Sequence, residues 1–214
     1  MTRLILVRHG QTRSNVQGLL DTAMPGADLT PLGQEQAAAL VDAMADERID
    51  RVVASPLART VQTATPVARE RGLELRVDPG LREVLAGDLE LRADRDAHLA
   101  YLRTVFAWAA GDLSATMPGA PETGTDFFER YDAAVDAAVA DGGTVLCVSH
   151  GAAIRTWATA RGSNVADDFG ADHGLPNTGV VVLERAGSGP WAVERWTDRR
   201  FPAPDDDPTG SAVP

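Results

Sequence analysis

The 214-residue chain has no lysine: all 20 basic residues are arginine, set against 31 acidic ones for a net charge of −11. Such a balance excludes non-specific binding to nucleic acid or to an anionic membrane. Any anionic ligand must therefore be met by a local pocket, and the positions of individual arginines matter. The single cysteine, Cys147, excludes an internal disulfide; within an apolar run it reads as a small buried hydrophobe rather than a reactive thiol. Only four histidines are present, with no His-x-x-His or His-Glu-x-x-His grouping, so neither a zinc site nor any cofactor is expected. No apolar run approaches the roughly 18 residues of a membrane span. The first one, Leu4 to Val7, is too short for a signal-peptide core. The expectation is a soluble cytoplasmic protein, monomer or homodimer, with one domain over residues 1–201. The polar, proline-rich stretch 202–214 is expected to be a disordered tail.

Two stretches organise the chain: Leu4-Ile5-Leu6-Val7-Arg8-His9-Gly10 and Val145-Leu146-Cys147-Val148-Ser149-His150-Gly151. Each is a short apolar run of buried-strand type that stops at a histidine followed by glycine. Ligands of open α/β sheets bind at the carboxyl ends of the strands. If these two strands are parallel neighbours, both histidines face one crevice.

Between them, strands alternate with helices. Thr30-Pro31 starts a helix with Leu32, Leu40, Val41 and Met44 inward, and Arg51 to Ala54 is a strand. Ser55-Pro56 repeats the cap-and-proline signal. The next helix turns Leu57, Val61 and Ala64 inward, carries Arg59 in its first turn, and is expected to kink or end at Pro66. A short strand over 73–77 and a loop over 78–88 follow. Helices are expected over 96–110 (Leu99, Leu102, Val105, Phe106 and Ala109 inward), 125–140 and 151–160. Residues 179–183 and 191–196 read as two edge strands joined by a Gly/Pro turn. This alternation predicts an α/β fold: a mostly parallel central sheet with helices on both faces, a three-layer sandwich.

The residues at the strand ends suit phosphoryl chemistry. A neutral imidazole is a good phosphoryl acceptor, and its unperturbed pKa near 6.5 leaves much of it neutral at pH 7. Guanidinia match phosphate oxygens in a fixed planar fork. A carboxylic acid beside the leaving oxygen can donate a proton and later take one from water. A phosphate dianion nearby in a dry pocket keeps that proton in place. The chain offers His9, then Arg8, Arg59 and His150, then a carboxylate in the 78–90 loop, where Asp88 and Glu90 rival Glu83. His98 and His173 read as surface residues. Phe106, Trp108 and Phe128 read as core or lid packing.

Leu6-Val7-Arg8-His9-Gly10-Gln11-Thr12 with Asn15 resembles the signature of the histidine phosphatase superfamily, the phosphoglycerate-mutase-like proteins. Ala54-Ser55-Pro56-Leu57-Ala58-Arg59-Thr60 is similar to its second motif, Leu81-Arg82-Glu83 with Gly87 and Glu90 to its third, and Val148-Ser149-His150-Gly151 to its fourth. Pro118 to Thr123, with Arg130 after it, resembles a degraded glycine-glycine-glutamate-serine segment, and Asn177-Thr178 the turn before the last strands. The resemblance implies a phosphohistidine on His9, with Glu83 as general acid and base. Arg8, Arg59 and His150 would bind the phosphoryl group, with Gln11, Thr12, Asn15 and Gly151 assisting. Two departures stand out: Leu91 where the family usually has glycine, and Ala120-Pro121 interrupting the stretch before Glu122. The function expected is hydrolysis of small phosphomonoesters. The alternatives are a phosphoglycerate mutase, whose members usually carry a longer insertion before the fourth motif, and a non-catalytic phospho-ligand binder.

Overall fold

A computed structural model describes residues 1–201; the expected tail, 202–214, lies outside the described residues. Seven strands form one sheet in the order β3-β2-β4-β1-β5-β6-β7. They are β1 (Thr2–Arg8), β2 (Arg51–Ala54), β3 (Leu75–Val77), β4 (Gly143–Ser149), β5 (Val180–Arg185), β6 (Ala192–Trp196) and β7 (Arg199–Arg200). β3, β2, β4 and β1 run parallel, and β5 to β7 are added antiparallel.

Alternation along each strand sends neighbouring side chains to opposite faces. Leu4, Leu6, Val145, Cys147, Val181 and Leu183 meet one apolar cluster; Ile5, Val7, Leu146, Val148 and Val182 meet another. The first is covered by α4 (Arg95–Ala109), α5 (Gly124–Val139) and α6 (Gly151–Arg161), the second by α2 (Pro31–Ala43) and α3 (Ala58–Glu70). Two short helices are α1 (Arg13–Gln17) and α7 (Phe169–Asp172); Phe169 of α7 joins the first cluster. The three-layer sandwich follows from strands that are apolar on both faces. Cys147 is fully buried, and burial pushes its thiol up to about 12.

Several local expectations are corrected. Neither expected edge strand is one: β5 pairs with β1 and β6, and β6 with β5 and β7. α3 runs through Pro66 to Glu70, because Ala64, Val67 and Ala68 bury against the sheet and outweigh the one lost backbone bond. Ser55 does not cap α3; the N-cap is Leu57, with no side-chain bond. On α2, Leu32 is exposed and Gly33 takes the inward position. A side chain at Gly33 would begin 2.1 Å from the Gln11 carbonyl oxygen, and one at Gly10 2.7 Å from the Gly33 oxygen. The bare backbones let α2 press against the loop that follows β1. On α4, Leu99 is exposed, while Ala97, Tyr101, Val105 and Trp108 face inward.

Candidate active site

β1 and β4 are parallel neighbours, with Arg8 opposite Ser149. The next residue on each strand is a histidine, so the two rings meet, centroids 5.4 Å apart and edge to face. His9 Nδ1 lies 2.7 Å from the Gly10 carbonyl oxygen. A carbonyl only accepts, so Nδ1 carries the proton and Nε2 keeps a free lone pair. Burial first, then the Arg59 and Arg8 charges, hold His9 well below the ordinary imidazole range. The ring is therefore neutral at pH 7. His150 is held down in the same way, by burial and then by Arg59, His9, Arg130 and Arg8.

His150 is fully buried behind His9, and its Nε2 lies 2.8 Å from Ser55 Oγ. Ser55 Oγ also accepts from Leu57 N at 3.4 Å, and its O–H can donate to Nε2. That assignment places the ring proton of His150 on Nδ1, which has no partner. The seryl hydroxyl that read as a helix cap in the sequence instead orients a histidine on another strand.

The two arginines are pinned by backbone oxygens. Arg8 Nη1 donates to Leu175 O at 2.6 Å, and Arg59 Nη2 to Asp21 O at 2.8 Å. Glycines make room for both: a Cβ on Gly151 would sit 3.2 Å from Arg8 Nε, and one on Gly26 2.2 Å from Arg59 Nη1. Four buried nitrogens here have no hydrogen-bond partner: Arg8 Nε, Arg59 Nε, Arg59 Nη1 and His150 Nδ1. Buried donors are rarely left unpaired, because each costs about 1–3 kcal/mol. The cluster fits a tetrahedral oxyanion.

Glu83 faces this cluster from the loop after a short turn, Pro79–Leu81. Its carboxylate accepts from Val84 N (3.0 Å), Ala153 N (2.8 Å) and Ala152 N (3.2 Å), the last two in the first turn of α6. Arg130 fixes the loop by donating to the carbonyls of Gly80 and Arg82 at 2.6 and 2.8 Å. Glu122 in turn holds Arg130 and Arg82. Ala120-Pro121 therefore leaves intact the contact that Glu122 makes. The rival carboxylates point elsewhere: Asp88 is exposed, and Glu90 is occupied by Thr22 and Ala23.

A cavity of about 410 Å³ opens over the cluster and is lined by Arg8, His9, Thr12, Asn15, Arg59, Glu83 and Gly151. Asn15 Oδ1 accepts from Thr12 N and Asn177 Nδ2, which leaves its own amide N–H groups to donate. Gln11 does not reach the cavity; its Oε1 accepts from Thr30 Oγ1 at 2.9 Å. Sequence reasoning missed several contributors to the wall, among them Asp21, Tyr101, Asn177 and Arg155. It also placed His98 on the surface, whereas His98 lines the cavity and its Nε2 meets Gly18 O at 2.8 Å. Arg155 stands one helical turn after Gly151, and that spacing was the available signal. Among the described residues, no group of three His, Cys, Asp or Glu side chains could hold a metal.

The sequence profile of the histidine phosphatase superfamily (branch 1) matches residues 4–199. The chain belongs to that superfamily. Over 207 residues it is 36% identical to a PE-PGRS family protein of Mycobacterium tuberculosis, covering 89% of this chain and 35% of that one. It is 34% identical over 130 residues to an adenosylcobalamin/alpha-ribazole phosphatase of Escherichia coli, covering 61% and 63%. The chain thus spans about a third and under two thirds of these relatives' lengths. The fold matches a mycobacterial glucosyl-3-phosphoglycerate phosphatase solved with vanadate, with a TM-score of 0.76 and 26% identity. That match covers 92% of this chain and 99% of that one.

Proposed function

We propose that this chain hydrolyses small phosphomonoesters in two steps through a phosphohistidine on His9. In the first step, Nε2 attacks phosphorus, the P–N bond forms and the ester P–O bond breaks. Glu83 gives its proton to the departing alkoxide. In the second, water attacks phosphorus, Glu83 takes a proton from it, the P–N bond breaks and phosphate leaves. Arg8, Arg59 and His150 hold the phosphoryl oxygens in both steps, assisted by Thr12, Asn15 and the backbone at Gly151. Placing donors ahead of the reaction is the largest usual source of such stabilisation.

The observation that carries this reading is the set of four buried nitrogens without a hydrogen-bond partner, three of them guanidinium N–H donors, beside a neutral imidazole with a free lone pair. The test is turnover and acid-labile labelling with ³²P-phosphomonoesters. Wild type should release phosphate and His9→Ala should do neither; normal labelling of the variant overturns the assignment of the nucleophile. Formation of 2-phosphoglycerate from 3-phosphoglycerate without phosphate release would favour a mutase. Phosphate binding without turnover of any ester would favour a binding protein.

A further inference from the structure

The cavity extends past the phosphoryl cluster, and its outer wall carries one more guanidinium, that of Arg155. This side chain is held in place before any ligand arrives. Its Nε donates to Gly170 O at 2.7 Å and its Nη2 to Ala171 O at 3.1 Å. Its central carbon lies 4.6 Å over the Phe106 ring. Those contacts leave Nη1 without a protein acceptor, and Arg155 forms no ion pair among the described residues. Arg3 and Arg130, also partly buried, each meet a carboxylate. In a chain of net charge −11, a rigid, unneutralised guanidinium facing a cavity wants an anion.

Its position says where that anion sits. Gly151 packs against Arg8, and Arg155 follows four residues on, about 6 Å along the helix at 1.5 Å per residue. The cavity lining also includes Leu20, Tyr101, Leu102 and Leu175, together with the polar Asp21, Thr22, His98 and Asn177. We infer that Arg155 binds a second anionic group on the alcohol part of the substrate, a few bonds from the ester oxygen. The preferred substrates are then phosphomonoesters of hydroxy acids, or of alcohols that carry a second phosphate. The inference rests on the phosphatase reading above and adds a substrate class to it.

The test compares 3-phosphoglycerate with glycerol 3-phosphate, which differ by a carboxylate against a hydroxymethyl group, and with glycerol 1,3-bisphosphate. Wild type should favour one or both of the esters with a second anion by at least tenfold in kcat/KM over glycerol 3-phosphate. The arm with the greater preference identifies carboxylate or phosphate as the second group. Arg155→Gln should bring that ratio close to one through KM, and Arg155→Lys, which keeps the charge, should restore part of it. No preference in wild type overturns the inference, as does an Arg155→Gln variant in which all three esters fall together and the ratio stays. p-Nitrophenyl phosphate, which has no second anion, separates the two claims. If wild type turns it over, the phosphatase reading stands whatever Arg155 does; if no ester is hydrolysed, both fail.

Discussion

Replacing Glu83 by glutamine tests the acid–base role and carries a structural cost that can be worked out beforehand. The carboxylate accepts three backbone N–H bonds, from Val84, Ala152 and Ala153. A glutamine amide offers one oxygen, which can keep the pair at 3.0 and 2.8 Å. Its NH₂ then faces Ala152 N–H, donor against donor, and a buried N–H left unpaired costs about 1–3 kcal/mol. Loss of negative charge at the α6 N-terminus adds about 0.3–1 kcal/mol. At 2–4 °C per kcal/mol for a domain of this size, Tm should fall by roughly 3–15 °C. Losing the proton donor should slow alkyl phosphates by roughly 10²–10⁴, while p-nitrophenyl phosphate, whose leaving group needs no proton, loses far less. The assay is single-turnover rates on both ester types at a temperature well below the variant's melting point. Equal losses on the two esters would move the acid role to another group. An unchanged Tm would refute the three-bond geometry.

Stability should depend on the two buried rings. His9 and His150 hold fewer protons folded than unfolded, so their contribution is full above about pH 6.5 and is lost as pH falls, by up to about 2.7 kcal/mol per pH unit for the pair. Urea titrations between pH 7 and 5 read this slope, and a His9→Asn/His150→Asn double variant should flatten it; the same slope in both proteins contradicts the assigned cause. Leu91 has φ of 58°, in the left-handed region that favours glycine, yet its N–H bonds Leu20 O at 2.9 Å. Leu91→Gly removes about 1–2 kcal/mol of backbone strain against about 0.5–1 kcal/mol of glycine entropy, so Tm should rise by a few degrees. A lower Tm would mean that contacts of the leucine side chain outweigh the strain of its backbone.

What could be read from the sequence followed from local rules. Strand–His–Gly put each ring at the carboxyl end of a strand; that the rings meet depended on the two strands being parallel neighbours, which they are. Thr30-Pro31 gave the start of α2 because capping depends only on neighbours along the chain: Thr30 Oγ1 accepts from Gly33 N at 3.0 Å. Features set by distant contacts were not legible. Ser55 carries a cap signature, but a histidine 95 positions away takes its hydroxyl. Pro66 is a helix breaker in isolation, and packing overrides it. Leu32 fits the apolar stripe of α2, but the close approach of Gly10 and Gln11 demands a glycine there and turns the leucine outward. Among the carboxylates of the 78–90 loop, composition could not choose; only the first turn of α6 and the Arg130–Glu122 bracket distinguish Glu83 from Asp88 and Glu90.

The electrostatics of the cluster tie binding to reactivity. Arg59 and Arg8 would hold the phosphoryl dianion, and the same two charges, with burial, keep His9 unprotonated. A site built from carboxylates around the histidine would orient the ring, but it would also favour imidazolium, which has no lone pair to give. Here the ring is oriented instead by an uncharged acceptor, the Gly10 carbonyl, which fixes the tautomer at little cost in protonation. Bringing a lysine into this cluster in place of either arginine would keep a positive charge but lose the fork that leaves N–H groups free after the backbone bonds are made. Arg8 and Arg59 each use one nitrogen on a carbonyl and keep others for the ligand, which an ammonium on a flexible stem cannot do with the same geometry.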